Sequence, residues 1–177
     1  MNLPPPAALV CLDLQRGRAA GLPAAAATAG ACRKVIDAAR LRSWPILHVH
    51  RRESDPGAGR PILGLEPLPS EPVYVRPGAS AFSHQGFAHA AQGLGGPLAL
   101  IGFSLCDSVL ATTFAALDRR LPVEILIDAV FASPEDEAVL RQALAAALTG
   151  RPPPCRLIGS ADLFAEEAAD IVAANTP

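Results

Sequence analysis

The sequence is poor in charge, and in lysine above all. Only 18% of its 177 residues are charged, the formal net charge is -2, and Lys34 is the single lysine among the fifteen basic residues. Proteins that bind nucleic acid or an anionic membrane surface present a basic patch that neutralises phosphates. The composition therefore argues against nucleic acid and membranes as partners, and it favours small molecules or other protein chains.

The sequence also lacks long hydrophobic runs, a leader pattern and paired cysteines. No stretch approaches the ~20 apolar residues of a membrane span, and the start M-N-L-P-P-P has neither region of a signal peptide. The cysteines show no C-x-x-C or zinc-finger spacing; they are Cys11, Cys32, Cys106 and Cys155. Such cysteines are typical of structural thiols in a reducing compartment. We therefore expect a cytoplasmic chain without a metal or other cofactor.

Apolar runs of strand length alternate with helical patterns along the chain. The predicted strands are 7–12, 46–50, 73–75, 98–101, 123–127 and 155–158, and the predicted helices are 23–42, 85–94, 107–120, 134–148 and 161–173. Residues 51–72 are rich in proline, glycine and charge, which indicates a long surface loop. The pattern predicts one α/β domain over residues 1–177, with a parallel sheet between two layers of helices.

The segment L-A-L-I-G-F-S-L-C-D-S-V-L-A-T, residues 98–112, is built like a nucleophile turn. An apolar strand ends at Gly102, and a helical pattern begins near Asp107, so Ser108 is expected at a helix N-terminus. Free backbone N–H groups and the helix dipole stabilise developing negative charge there, as an oxyanion hole does. Ser108 is therefore a candidate nucleophile, and Asp107 is interpreted as the helix N-cap.

This turn resembles that of the isochorismatase-like hydrolases, which include nicotinamidases, N-carbamoylsarcosine amidases and isochorismatases. Their turn reads approximately G-x-x-T-x-x-C-V-x-x-T; Gly102, Val109 and Thr112 fit it, and Ser108 takes the place of the usual cysteine. Anchored in the same way, the sulfur of Cys106 lies two residues before the nucleophile position. Cys106 would replace Ser108 only in a shifted loop.

Two further segments carry the resemblance. A-L-V-C-L-D-L-Q is similar to the family's first strand and places the catalytic aspartate at Asp13. Y-V-R-P-G-A-S-A-F is similar to a segment in which lysine precedes S-A-F by four residues, and Arg76 stands at that position. Two of the three catalytic positions have therefore changed.

The resemblance implies a six-stranded sheet in the order 3-2-1-4-5-6, with Asp13 and Gly102 on neighbouring strands at the topological switch point, where ligands bind. It implies an oxyanion hole from the backbone amides of Ser104 and Ser108, and a cis peptide between Phe103 and Ser104. It also implies a dimer or larger homo-oligomer. The candidate substrate pocket comprises Phe82, Phe103 and Gln15.

The altered triad leaves three functions open. Ser108 can replace cysteine in hydrolysis of an amide or ester, with Asp13 as base, although an alcohol is far less acidic than a thiol. Asp13 can act instead as general acid on a vinyl ether, which a neighbouring Arg76 disfavours because the cation stabilises the ionised carboxylate. The chain can also be a catalytically silent relative that binds ligands or assembles. His48 and His50 share one strand face, but the family's metal pattern is absent around them.

Overall fold

The computed structural model of the chain describes residues 6–147 and 155–164. Six strands form one sheet in the order β3-β2-β1-β4-β5-β6, and every neighbouring pair is parallel. The strands are β1 (Ala8–Leu12), β2 (Ile46–Arg51), β3 (Val73–Arg76), β4 (Leu98–Gly102), β5 (Val123–Val130) and β6 (Cys155–Ile158). The predicted α/β class and strand order are confirmed.

The two central strands, β1 and β4, are buried at every position. A parallel strand covered on both faces needs apolar residues throughout, which explains the continuous runs A-L-V-C-L and L-A-L-I-G. β5 extends beyond its predicted end because the register with β4 shifts after Leu100 and pairs Gly102 with Val130. Such an irregularity lets a strand rejoin its neighbour, and hydrophobicity alone does not locate it.

The helices are α1 (Arg16–Ala19), α2 (Ala25–Leu41), α3 (Pro56–Gly59), α4 (Gln85–Leu94), α5 (Leu110–Asp118) and α6 (Pro134–Ala147). A 3-10 turn spans Ala81–Ser83, a π-helical turn spans Leu105–Val109, and residues 160–164 are helical. The ends predicted for the last two helices, after residues 147 and 164, lie outside the described residues. Among the described helices, none is both long and apolar enough to cross a membrane.

Each face of the sheet packs its own hydrophobic core, which makes three layers. One face packs against α4 and α5, through residues such as Phe87, Ala91 and Ala116. The other packs against α2, through residues such as Val35 and Ile36. Helices therefore cover both faces, and the strand ends at the carboxyl edge remain available for a site.

Gly102 fixes the approach of β4 to β1 at that edge. Its φ is 133°, and a Cβ at this position would lie 1.9 Å from the carbonyl oxygen of Leu12. The next residue, Phe103, donates its N–H to that same oxygen at 3.0 Å. Only glycine allows this contact, so Gly102 sets the position of the turn that follows β4.

Candidate active site

Asp13 stands at the carboxyl end of β1, at the point where the order of the strands reverses. Its φ of 54° is in the left-handed region, which aspartate enters more readily than most residues. Its N–H donates to the carbonyl oxygen of Val49 at 2.9 Å, and its carbonyl oxygen accepts from Gln15 at 2.7 Å. These bonds turn the chain out of the strand and hold the carboxylate in the interior, where Asp13 is fully buried.

Arg76 reaches Asp13 from the end of β3. Its Nη2 donates to Oδ2 of Asp13 at 2.7 Å and its Nε donates to Oδ1 at 3.3 Å. The Asp13 side chain is 0% exposed and the Arg76 side chain 3%. Nη1 of Arg76 donates to the carbonyl oxygen of Gly78. Planar two-point contact of this kind is specific to a guanidinium group. The ion pair is therefore a fixed, dry feature of the edge.

Ser108 lies within the π-helical turn, two residues before α5 begins. It is fully buried, and its hydroxyl donates to the carbonyl oxygen of Phe103 at 3.2 Å. Within the described residues this is the only hydrogen bond of the hydroxyl, and none joins it to Asp13. The Ser108 hydroxyl is thus turned toward the backbone.

Ser104 adopts the left-handed conformation expected of a residue at a sharp turn, with a φ of 71°. Its Oγ accepts a hydrogen bond from Arg18, and its carbonyl oxygen accepts from the N–H groups of Asp107 and Val109 at 3.2 and 3.3 Å. Among the described residues no peptide bond is cis, so the expected cis bond between Phe103 and Ser104 is wrong.

Asp107 is the site residue that the sequence interpretation missed. It makes no capping hydrogen bond, because α5 begins at Leu110 and Asp107 lies inside the preceding turn. Instead, its Oδ2 lies 3.2 Å from Nη1 of Arg51, 3.7 Å from Nη2 of Arg18 and 3.9 Å from Nη2 of Arg76. A signal for this cluster was present, since arginines occur at or just after the carboxyl ends of β1, β2 and β3, which meet at one edge.

A cleft of about 350 Å³ opens beside the ion pair. Three of its four charged lining residues are basic; the lining consists of Arg51, Arg52, Arg76, Pro77, Gly78, Ala79 and Asp107. Its size suits a small molecule. The triad position on β3 therefore faces a space that a substrate can enter.

The three predicted pocket residues do not line this cleft. Phe82 is buried against Phe87, with the ring centroids 5.1 Å apart, and Phe103 is fully buried against Phe131. Gln15 is buried because its side chain binds backbone: its amide nitrogen donates to the carbonyl oxygens of Arg51 and Gly59. Its oxygen accepts from the N–H of Arg51 at 2.8 Å. Of the three, Gln15 alone contacts a lining residue of the cleft through a side-chain hydrogen bond, which joins it to Arg51.

The sulfur of Cys106 contacts Asp136, and among the described residues it makes no hydrogen bond to Asp13. The sulfur donates to Oδ1 of Asp136 at 3.2 Å, and burial together with this carboxylate raises the pKa of the thiol. A raised pKa keeps the sulfur protonated and weakly nucleophilic. The shifted loop that would bring Cys106 to the nucleophile position is not formed.

His50 is a buried histidine close to the site. Burial lowers its pKa, and the charge of His48 lowers it further, against the opposing effect of Asp13. Its Nε2 is buried and has no hydrogen-bond partner within the described residues.

The described part of the chain contains no group of three or more His, Cys, Asp or Glu that could hold a metal ion.

The isochorismatase domain model matches residues 7–150. An isochorismatase from Pseudomonas putida KT2440 is 25% identical over 92% of this chain and 94% of its own, with a TM-score of 0.76.

Two further solved structures share the fold. A putative isochorismatase-family hydrolase from Chromobacterium violaceum ATCC 12472 is 23% identical over 96% of this chain and 100% of its own, with a TM-score of 0.74. The N-carbamoylsarcosine amidase of Thermoplasma acidophilum is 22% identical over 89% of this chain and 97% of its own, with a TM-score of 0.70. A comparison with curated proteins found no match. Because the family model covers most of the chain, from the strand that carries Asp13 to the turn that carries Ser108, the chain belongs to the isochorismatase domain family.

Proposed function

We propose that this chain hydrolyses an amide or ester bond of a small molecule in the cleft beside Asp13 and Arg76. The observation that supports this proposal is the buried, two-point ion pair at the cleft. Two charges removed from water bring a large desolvation penalty, and apolar residues often stabilise such a position better. A pair kept at a topological switch point, in a family of hydrolases, is best explained by chemistry.

In this mechanism Asp13 is the base and Ser108 the nucleophile. The Ser108 hydroxyl leaves the carbonyl oxygen of Phe103, transfers its proton to Asp13, and attacks the substrate carbonyl carbon through Oγ. The carbonyl π electrons move to oxygen, and the backbone N–H groups of Ser104 and Ser108 stabilise that oxyanion. Collapse of the intermediate breaks the bond to the amine or alcohol, which takes the proton back from Asp13.

A water molecule completes the cycle. It attacks the acyl group on Ser108 while Asp13 accepts a proton from it, and Ser108 recovers that proton as it leaves. Arg76 remains charged throughout, since a guanidinium group does not release its proton at neutral pH. Its part is to hold the carboxylate in place and to stabilise its charge.

Serine makes the first step demanding. Each pKa unit separating nucleophile and base adds about 1.4 kcal/mol to formation of the anion. We therefore expect slow turnover, with esters hydrolysed faster than amides because an alcohol is the better leaving group. The vinyl-ether alternative is less favoured, because a general acid starts from a protonated carboxyl group, whereas both oxygens of Asp13 accept hydrogen bonds from Arg76.

A second candidate function is ligand binding without turnover. It is favoured by two hydrogen-bonding arrangements: both Asp13 oxygens are occupied by Arg76, and the Ser108 hydroxyl donates to Phe103. A protein that has given up catalysis can keep its cleft and this ion pair. We also expect a homo-oligomer from the family resemblance, and a cytoplasmic location from the spacing of the cysteines.

The experiment is a product survey of the full chain with amides, esters and isochorismate, followed by mass spectrometry. The proposal predicts amide or ester hydrolysis that Ser108→Ala abolishes while the thermal unfolding midpoint is kept. Cleavage of isochorismate alone would support the vinyl-ether alternative. No turnover by the folded protein, together with retained ligand binding, would support the silent relative.

A further inference from the structure

The arginines around the cleft carry more positive charge than the neighbouring carboxylates can balance. Arg51, Arg52 and Arg76 line it, and a fourth arginine, Arg18, lies 3.7 Å from the lining residue Asp107. Against these four stand two aspartates, Asp107 in the lining and Asp13 paired with Arg76. All four guanidinium groups stay protonated at neutral pH. The excess of two positive charges is unusual in a chain whose formal net charge is -2.

The four arginines differ in how fully they are engaged. Arg76 is committed to Asp13 and to Gly78, and it is almost completely buried. Arg51 meets Asp107 through Nη1 at 3.2 Å, but its side chain is 45% exposed. Arg52 is exposed and has no hydrogen bond or ion pair from its side chain to any residue that the structure describes. Arg51 and Arg52 therefore retain donors for a ligand.

The backbone holds these donors in place. Arg51 is the last residue of β2 and lies directly opposite Arg76 in the parallel register. The N–H of Arg51 donates to the Gln15 side chain, and its carbonyl oxygen accepts from that same side chain. Two guanidinium groups on adjacent, anchored strand ends repel each other unless an anion lies near them. Asp107 provides part of that compensation, and it leaves a positive excess.

We propose that the substrate carries an anionic group, a carboxylate or a phosphate, which Arg51 and Arg52 bind at the cleft. The bond to be hydrolysed then lies on the side of Asp13 and Arg76. Guanidinium groups bind both anions through paired N–H donors, so the two share one recognition chemistry. This inference rests on the proposed function, which identifies the cleft as the substrate site. A binding measurement tests it without any turnover.

The test is isothermal titration calorimetry of the full chain with three probes: succinate, inorganic phosphate and uncharged succinamide. We expect succinate, phosphate or both to bind, the affinity to fall as NaCl is raised, and succinamide not to bind. The stronger of the two anions identifies the substrate group. Loss of charge-assisted hydrogen bonds in Arg51→Gln/Arg52→Gln should weaken that affinity about tenfold or more.

Arg120→Gln is the control for the loss of surface charge. Arg120 is an exposed arginine that precedes β5, at the amino edge of the sheet, and its replacement removes one positive charge far from the cleft, whereas the double variant removes two at the cleft. Equal loss of affinity in Arg120→Gln and in the double variant would overturn the inference, as would equal affinity for succinamide and the anions.

Turnover separates this inference from the proposed function. A wild-type chain that hydrolyses neutral amides or esters and binds neither anion refutes the anionic substrate and leaves the hydrolase intact. A chain that binds an anion through Arg51 and Arg52 but hydrolyses nothing confirms the anion site and refutes the hydrolase.

Discussion

Arg76 donates two hydrogen bonds to Asp13, from Nη2 to Oδ2 at 2.7 Å and from Nε to Oδ1 at 3.3 Å, and neither side chain is more than 3% exposed. The two residues lie 63 positions apart in the chain. Arg76 is the last residue of β3 and Asp13 follows β1, and β2 lies between these two strands in the sheet. Sheet order brings them together. The relationship ties the stability of the carboxyl edge to the chemistry proposed for it.

Removal of the cation should destabilise the fold strongly. Arg76→Met keeps much of the side-chain volume but leaves Asp13 buried without a partner, so we expect a loss of about 3 to 5 kcal/mol in the free energy of unfolding. Urea denaturation measures it. The double variant Asp13→Asn/Arg76→Met removes both charges and should recover at least half of the loss. A loss below about 1 kcal/mol in the single variant would contradict a tightly coupled buried pair.

Ser108→Cys should raise amide hydrolysis. A thiol loses its proton near pH 8.5, many units below an alcohol, so Asp13 becomes a more adequate base. The rate of amide hydrolysis at fixed pH is the measurement, with Ser108→Ala as the variant that lacks any nucleophile. Equal rates in all three proteins would show that residue 108 does not attack the substrate.

Gly102→Ala should disrupt the fold more than an ordinary glycine replacement. The new Cβ would lie 1.9 Å from the carbonyl oxygen of Leu12, and a φ of 133° strains any L side chain. We expect a loss above about 3 kcal/mol, seen in the urea midpoint. Gly30→Ala is the control, since Gly30 lies inside α2 with open space around it and should stabilise by about 0.5 to 1 kcal/mol. Similar effects at both positions would refute the close approach of β1 and β4.

Glu71 should make the free energy of unfolding depend on pH in the acid range. Burial raises its pKa, but hydrogen bonds from Arg40, the Leu68 backbone and His48 outweigh burial and lower the pKa from 4.5 to about 2. A carboxyl group with a depressed folded-state pKa stabilises the protein above its unfolded pKa. That stability, on the order of 3 kcal/mol, is lost as the pH falls from about 4.5 to about 2.

Comparison with Glu71→Gln isolates this effect from the other carboxylates. The difference in unfolding free energy between the wild type and Glu71→Gln should shrink across that window of pH. A difference that stays constant from pH 5 to about pH 2 would mean that Glu71 titrates normally in the folded protein.

The sequence was sufficient for the sheet and for the pairing of Asp13 with Arg76 at its edge. Buried parallel strands need unbroken apolar runs, so A-L-V-C-L and L-A-L-I-G identified β1 and β4, and family resemblance supplied the strand order. The end of β5 was missed because a register shift after Leu100, and not hydrophobicity, decides it.

The orientations of the side chains at the site could not be predicted from the sequence. A π-helical turn over Leu105–Val109 holds one more residue per turn than an α-helix allows, which rotates every following side chain. Hence Asp107 meets the arginines instead of capping a helix, and the Ser108 hydroxyl meets the carbonyl of Phe103. The pattern of residues 98–112 fits an α-helical start equally well.

Hydrolysis in this cleft requires Asp13 as the base. The measurement is kcat/KM of the wild type and of Asp13→Asn for the best amide or ester substrate, with thermal unfolding of both proteins as the folding control. Asparagine keeps the shape and tolerates the left-handed backbone but accepts no proton, so we predict a fall of at least about 100-fold. Asparagine also leaves Arg76 buried without its anion and lowers the unfolding midpoint, so both proteins are assayed below the midpoint of the variant. Equal kcat/KM in the two proteins would contradict the account.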